Sequence, residues 1–256
     1  MITVIEKDMF FNDVGSTKGS IKINTRITTP QQFTFKVSVR ESRSILKKFW
    51  GIKTATFGIT LEAKISDAIK YVPDEGDGWL QIILEDNASE VTVPAYLKVK
   101  IERIDTQREY FTIAEGTYRG KLASIKLRGN GASWFITDIK HAPMARASYA
   151  ISKKVFSLNG QKYKTVDYPE APWEKGIYDI EIPDYAHKGG NAYPEAERAK
   201  TWFKIGHRSE RYLHTGGRSL GCITIIETTR WMEIYHALIK ARKGDFMSVG
   251  VLEVVD

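Results

Sequence analysis

Short runs of alternating apolar and polar residues dominate the first half of the chain. Such alternation puts apolar side chains on one face of a pleated strand and is typical of half-buried β-strands. Turn-forming residues separate the runs, which include 32–39, 55–62, 79–84, 96–104 and 133–139. A short helix is expected at 41–50. We therefore predict an antiparallel β domain over residues 1–145, a sandwich or a barrel, with an accessory or targeting role.

Residues 146–256 predict a second β-rich domain. The Asn159-Gly160 pair between two apolar runs indicates a tight hairpin. Apolar residues at helical spacing predict a helix over 228–243 that Gly244 ends. Further strands are expected at 176–182, 202–206, 211–214, 223–226 and 248–255. The fold class expected for the whole chain is mainly β, with one or two helices.

Composition argues against several classes of protein. No run of apolar residues approaches the length of about 18 that a membrane helix needs, so we expect no membrane insertion. The N-terminus shows no export signal. A net charge of +7 is compatible with an anionic partner. Nucleic acid is disfavoured as that partner, because no zinc-finger, RNA-binding or basic-helix motif accompanies the charge.

Cys222 is the single cysteine, so an intrachain disulfide and a cysteine-rich metal site are both excluded. A loop that holds Gly216, Gly217 and Gly221 joins it to His214. A thiol becomes a strong nucleophile when a nearby imidazole takes its proton. Glycines let a substrate carbonyl approach and expose backbone N–H groups, here those of Gly221 and Cys222, that can stabilise an oxyanion. The run therefore suggests a cysteine nucleophile with a histidine base, although a buried structural cysteine would give the same pattern.

The segment Ser219-Leu-Gly-Cys-Ile, preceded by a strand that ends in a histidine, resembles the signature of the YkuD-type L,D-transpeptidase family. The similarity extends over about 173–255 and includes the helix and the valine-rich last strand. The short interval from the histidine to the cysteine is most similar to a compact branch found among secreted effectors that target peptidoglycan. The resemblance implies that 146–256 is an L,D-transpeptidase-like catalytic domain.

The same resemblance implies a cysteine acyltransferase or peptidase that acts on peptidoglycan stem peptides. Cys222 would attack the carbonyl between an L-centre and a D-residue, and His214 would carry the proton, with a thioester as intermediate. An amine acceptor gives L,D-transpeptidation or D-amino-acid exchange, whereas water gives L,D-carboxypeptidase hydrolysis. Gly221 would supply an oxyanion donor, and Ser219 would orient His214 or bind the intermediate.

Arg211, Arg218, Gly217 and His207 are the residues expected to bind substrate. The arginine guanidinium can bind a carboxylate through two parallel hydrogen bonds, a role that suits Arg211 and Arg218. His207 also follows a strand and precedes the cysteine, so either His207 or His214 can be the base. We favour His214, because it closes an apolar strand directly before the glycine loop.

The remaining histidines indicate no further site. His187, beside Lys188-Gly-Gly, is expected to be a solvated loop histidine. The histidines and carboxylates of this region match no recurrent metal-ligand spacing, so we expect neither a metal nor a cofactor.

Two departures from the family pattern leave alternatives open. Leu220 stands where many members have a second histidine, and Thr224 replaces a common arginine. The main alternative is a catalytically inactive structural or binding module of a phage tail or secretion apparatus. A third hypothesis is an anion-binding β domain fused to an unrelated enzyme.

Peptidoglycan lies outside the cytoplasm, so the favoured hypothesis places the protein's action in the periplasm or cell wall. Delivery without a Sec signal would then be needed, as for a secreted effector or toxin. Its partners would be secretion machinery and an immunity protein that protects the producer.

Overall fold

The computed structural model describes residues 2–7, 12–23, 30–40, 54–63 and 69–256. The chain divides into two compact units, Met1–Asp67 and Ala68–Asp256. The helix expected at 41–50 lies outside the described residues.

The described part of the first unit consists of two antiparallel strand pairs. In the first pair, β1 (Ile2–Lys7) lies against β2 (Asn12–Thr17), and in the second β3 (Gln31–Arg40) lies against β4 (Thr54–Ala63). Val37 is buried whereas its neighbours along β3 are exposed, as the alternating pattern predicts.

A six-stranded antiparallel sheet opens the second unit. Its strands are β5 (Ile69–Tyr71), β6 (Trp79–Leu84), β7 (Glu90–Pro94), β8 (Lys98–Ile104), β9 (Arg108–Ile113) and β10 (Leu122–Lys126). Their order across the sheet is β5-β8-β9-β10-β6-β7. The strand expected at 133–139 is wrong, because in that run only Ile136 pairs, through an isolated bridge to Tyr71.

An eight-stranded mixed sheet forms the rest of this unit. Two strands of two residues each, β11 (Ala142–Pro143) and β19 (Ala241–Arg242), lie outside this sheet and pair with each other in parallel. Its strands are β12 (Ala145–Ala150), β13 (Val155–Leu158), β14 (Gln161–Val166), β15 (Gly176–Glu181), β16 (Phe203–Lys204), β17 (Tyr212–Thr215), β18 (Ile223–Ile225) and β20 (Ser248–Val255). They follow the order β15-β20-β12-β13-β14-β18-β17-β16. Positive φ angles at Asn159 and Gly160 confirm the predicted hairpin between β13 and β14.

One α-helix, α1 (Trp231–Ile239), is present among the described residues and follows a 3-10 turn at Thr228–Arg230. Its buried face carries Trp231, Ile234, Tyr235, Leu238 and Ile239. The helix ends before the predicted residue 243 because the chain turns into β19, which pairs with β11. No helix in the described part of the chain has the length and apolar character to cross a membrane.

Both sheets of the second unit contribute to one hydrophobic core. Phe111 and Ile113 of the first sheet belong to the same cluster as Phe156 and Leu252 of the second. The boundary expected at 145/146 therefore falls inside a compact unit, at the first residue of β12. An accessory or targeting role for residues 1–145 stays a prediction.

A buried ion pair crosses this unit. The Glu115 carboxylate accepts hydrogen bonds from Arg242 Nη2 at 2.8 Å and from the Lys98 backbone at 2.9 Å. The Glu115 side chain is 2% exposed and that of Arg242 is 9% exposed. Loss of one partner would leave the other charge buried and unpaired, which is much more costly than loss of a surface pair.

We therefore expect Glu115→Ala to lower the free energy of unfolding by about 3–5 kcal/mol, measured by urea unfolding. The control is Lys175→Ala, which breaks an exposed pair with Asp256 and should cost less than about 1 kcal/mol. Equal losses in the two variants would contradict a stabilising role for the buried pair.

Candidate functional site

The site is organised by the parallel pairing of β17 with β18. In this pairing His214 lies opposite Thr224, and Leu213 lies opposite Ile223. Cys222 precedes Ile223 and so lies beside Tyr212. Parallel strands are ordinarily joined by about a dozen residues or more, whereas here the connection is residues 216–222 alone. So short a connection is sufficient because both strands are short.

Glycine is required at two points of this connection, which we call the glycine loop (216–222). Gly216 and Gly221 have φ angles of 151° and 113°, which residues with a side chain rarely adopt. A Cβ atom on Gly216 would also lie 2.8 Å from the Tyr193 ring. The Gly217 N–H, which we expected to face substrate, donates to the Tyr193 hydroxyl at 2.7 Å. Tyr193 thus holds the loop in place.

His214 is buried and both of its ring nitrogens have partners. Nδ1 lies 2.9 Å from the Thr215 carbonyl oxygen, and Nε2 lies 3.0 Å from Thr224 Oγ1. A carbonyl can only accept, so Nδ1 carries the proton of the neutral imidazole and Nε2 presents its lone pair. Burial lowers the pKa of His214 to about 4. At neutral pH the residue is therefore an uncharged base.

Cys222 is partly buried and precedes β18 by one residue. Burial raises the pKa of its thiol, while the backbone of Tyr212 and the Arg211 guanidinium partly offset that rise. The thiol is therefore protonated at neutral pH. Within residues 69–256, the side chain that is hydrogen-bonded to His214 Nε2 is Thr224 and not Cys222.

Ser219 shapes the glycine loop. Its hydroxyl donates to the Cys222 carbonyl oxygen at 2.7 Å and accepts from the Gly221 N–H at 3.2 Å. The contact with His214 that we expected from Ser219 is made by Thr224 instead. From the sequence we considered Thr224 only as the replacement of an arginine. Its position opposite His214 depends on the register of two strands, which the spacing of residues in the sequence does not reveal.

A stack of rings lies against His214. Its imidazole is stacked on Trp202, with centroids 4.1 Å apart, and the other face of Trp202 is stacked on His187 at 4.3 Å. The expectation of a solvated His187 is wrong, because this residue is buried and its Nε2 lies 3.0 Å from Asp184.

The pair of His187 and Asp184 adds to the electrostatics of the site. Burial opposes ionisation of Asp184, but the hydrogen bonds from His187 and from the Tyr185 backbone hold its pKa below the usual range. His187 in turn contributes electrostatically, after burial, to the low pKa of His214.

His207 occupies a different environment. Its Nε2 lies 2.8 Å from Asp179 and its Nδ1 lies 2.9 Å from Glu181, so both of its ring nitrogens face carboxylates. The choice of His214 over His207 as the base stays a prediction.

Ligand-type atoms of Asp179, His207 and Asp245 lie within 4.8 Å of one another. The Lys243 ammonium lies 2.6 Å from Asp179 and 3.4 Å from Asp245. A lysine therefore supplies the positive charge among these carboxylates.

A cavity of about 580 Å³ lies at the residues that precede β17, and neither His214 nor Cys222 is among the residues that line it. Its lining includes Trp173, Tyr178, His207, Arg208 and Arg211. The Arg211 guanidinium lies 4.8 Å from the centre of the Trp173 ring, and its Nε lies 3.7 Å from the position of a Cβ on Gly221.

Two loop side chains that we singled out are exposed. Arg218 lies in the glycine loop, and its carbonyl oxygen lies 3.2 Å from Thr224 Oγ1. Leu220 is 88% exposed, an unusual position for a large apolar side chain.

No family model matches the chain, and no curated protein matches it. Similar solved structures include L,D-transpeptidase 1 of Mycobacterium tuberculosis, with 13% identity and a TM-score of 0.28, over 74% of this chain and 87% of that one. They also include L,D-transpeptidase 3 of Mycobacterium tuberculosis in complex with a faropenem-derived adduct, with 12% identity and a TM-score of 0.30, over 86% of this chain and 91% of that one. These values describe a distant likeness.

The low pKa of His214 predicts a pH window in which stability is lost. The unfolded imidazole takes up a proton near 6.5 and the folded one only near about 4. The unfolded chain binds more protons between these values, so the free energy of unfolding should fall by about 3 kcal/mol as pH drops from about 6.5 through about 4.

Urea unfolding between pH 7 and pH 4 measures this slope. His214→Gln should remove the part of the pH dependence of unfolding free energy that His214 contributes. His236→Gln, which changes an exposed helical histidine, should keep the full slope. An unchanged slope in His214→Gln would show that His214 does not titrate as described.

Proposed function

We propose that this chain is a cysteine acyltransferase or peptidase of the L,D-transpeptidase type that acts on peptidoglycan stem peptides. The observation that carries the proposal is the register of β17 and β18. Alternate residues of a strand share a face, so Cys222 shares the face of Thr224, which lies opposite His214. This register puts the neutral buried imidazole and the single thiol of the chain on the same face of the sheet, on the two strands that the glycine loop joins.

The chemistry follows from the protonation of these two groups. Both are uncharged at rest, so the thiol proton passes to His214 Nε2 as Cys222 Sγ bonds to the substrate's carbonyl carbon. The imidazolium returns the proton to the leaving amine as the C–N bond breaks, which leaves a thioester. An amine or water then attacks the thioester, and the thiol is regenerated.

Backbone N–H groups of Gly221 and Cys222 are the proposed oxyanion donors. The Gly221 N–H donates to Ser219 Oγ at 3.2 Å, at the long end of the range for such bonds. A negatively charged oxygen is a stronger acceptor than a hydroxyl, so the N–H would turn toward it as the tetrahedral intermediate forms.

The cavity lined by Arg211 is the proposed substrate site, and Arg211 connects it to the glycine loop, since its Nε lies 3.7 Å from the position of a Cβ on Gly221. Arg211 and Arg208 line it and suit a carboxylate, while Trp173 and Tyr178 suit the apolar parts of a peptide. Arg218 on the loop and His207 at the cavity wall complete the proposed contacts.

We extend the proposal to the biological setting. The short interval between His214 and Cys222 supports a compact effector-like enzyme that acts in the periplasm or cell wall. Delivery by secretion machinery and a cognate immunity protein belong to the same proposal. Co-purification of the chain with a protein encoded beside it would test the immunity partner.

A catalytically inactive module is the second candidate. The observation that favours it is the raised pKa of the Cys222 thiol, since an activated cysteine in many enzymes has a lowered one. An inactive module would bind peptidoglycan without acylation of the cysteine.

Tetrapeptide muropeptides incubated with the purified full chain should give exchanged, cross-linked or shortened products, detected by mass spectrometry. Cys222→Ala and His214→Gln should each lower the rate by at least about a hundredfold, because they remove the proposed nucleophile and base. His236→Gln is the matched histidine control and should retain activity. Unchanged substrate, or turnover by Cys222→Ala, would overturn the proposal.

Alkylation by iodoacetamide tests the state of the thiol without substrate. Because burial raises the thiol pKa, the rate should be low at neutral pH and rise into the alkaline range. Arg211→Gln should slow alkylation at a fixed pH, since the guanidinium stabilises the thiolate, whereas Arg146→Gln, at an exposed position of β12, should not. Rapid alkylation at mildly acidic pH would contradict the raised pKa.

A further inference from the structure

Thr224 is the fully buried partner of the proposed base. Its Oγ1 lies 3.0 Å from His214 Nε2 and 3.2 Å from the Arg218 carbonyl oxygen. A hydroxyl has one proton to donate and two lone pairs that accept. Its proton can therefore be given to only one of these two acceptors at a time.

Each protonation state of His214 selects one orientation of this hydroxyl. When the imidazole is neutral, Nδ1–H donates to the Thr215 carbonyl and Nε2 accepts the Thr224 proton. When Nε2 has taken a proton, it donates to Thr224 Oγ1, and the hydroxyl turns to donate to the Arg218 carbonyl. In both states each ring nitrogen of His214 keeps a hydrogen-bond partner with no movement of the ring.

We propose that Thr224 is a positioning residue whose hydroxyl rotates between His214 Nε2 and the Arg218 carbonyl as His214 gains and loses its proton. The proposal rests on the proposed function for its catalytic meaning. A hydroxyl can both donate to Nε2 and accept from it, which a side chain with donors alone cannot do.

The groups around the imidazole support this assignment. Trp202 covers one face of the ring, with the His187–Asp184 pair behind it. Cys222, near Arg211, lies on the β18 side of the ring. Within the described residues, Thr224 is the hydroxyl that contacts Nε2, and its complete burial argues against its being a nucleophile.

The first experiment is an NMR titration of the His214 ring nitrogens in the full chain, without substrate. Thr224→Val keeps the shape and removes the hydroxyl, so the imidazolium loses a charge-assisted hydrogen bond. We expect the His214 pKa to fall by about one unit, a tenfold change in protonation, and Thr224→Ser to restore it. Thr165→Val is the control, because it removes a buried hydroxyl from β14, beside β18, that does not contact His214.

The second experiment measures acylation of Cys222 by muropeptide against pH. Thr224→Val should be about tenfold slower or worse, with the limb of the profile that reports His214 displaced to lower pH, and Thr224→Ser should recover both. An unchanged His214 titration in Thr224→Val, or a Thr224→Ser that behaves like it, overturns the proposal. A shifted titration in a chain that never acylates supports the hydroxyl's role and refutes the proposed function instead.

The wild-type chain provides a measurement for the case in which Thr224→Val fails to fold. The Thr224 hydroxyl proton should be sheltered from exchange by burial, and its chemical shift should change with the same midpoint as His214. A hydroxyl signal that is independent of His214 protonation overturns the proposal.

Discussion

The candidate site depends on the parallel pairing of two very short strands. A return connection between parallel strands is usually long, and in β17 and β18 it is short only because the strands are short and glycines turn the chain at both ends of the loop. The pairing brings the start of β18 beside the start of β17. Cys222 consequently lies next to Tyr212, and Thr224, not the cysteine, lies directly opposite His214. A change in register by one residue would send these side chains to the other face of the sheet, where no site could form.

Burial keeps the reacting groups neutral, and the nearby charges are held apart from them. The hydrogen-bonded pair of His187 and Asp184 is separated from His214 by the Trp202 ring, which stacks on both imidazoles. The Arg211 guanidinium lies against Trp173 and near Cys222. Under the proposed function, charge would develop at the centre only during attack, in surroundings of low polarity where fixed dipoles act strongly. The same surroundings make every unpartnered polar atom costly, so the imidazole needs partners at both nitrogens.

The local pattern of apolar and polar residues was enough to predict most of the strands. It failed wherever contacts between residues far apart in sequence determine the structure. The alternation of apolar and polar residues predicted β3 and β4, and the valine-rich run 248–255 coincides with β20. The helix was predicted too long, since its end is set by pairing between β19 and β11, about a hundred residues apart in sequence. The predicted boundary at 145/146 lies within one compact unit because the two sheets share a core, which no local pattern shows. His214 and Cys222 could be proposed from their spacing, whereas the burial of His187 and the contact of Thr224 come from pairings between separate segments.

The exposure of Leu220 bears on how substrate binding relates to rate. This side chain stands in water at the tip of the glycine loop, next to the proposed nucleophile. A ligand that covers it gains about 1.5–3 kcal/mol of apolar burial, and it gains this equally before and during the reaction. Such uniform binding strengthens capture of the substrate without lowering the barrier that follows. Substrates with an apolar group at that point would thus be distinguished by their affinity rather than by the speed of the chemical step.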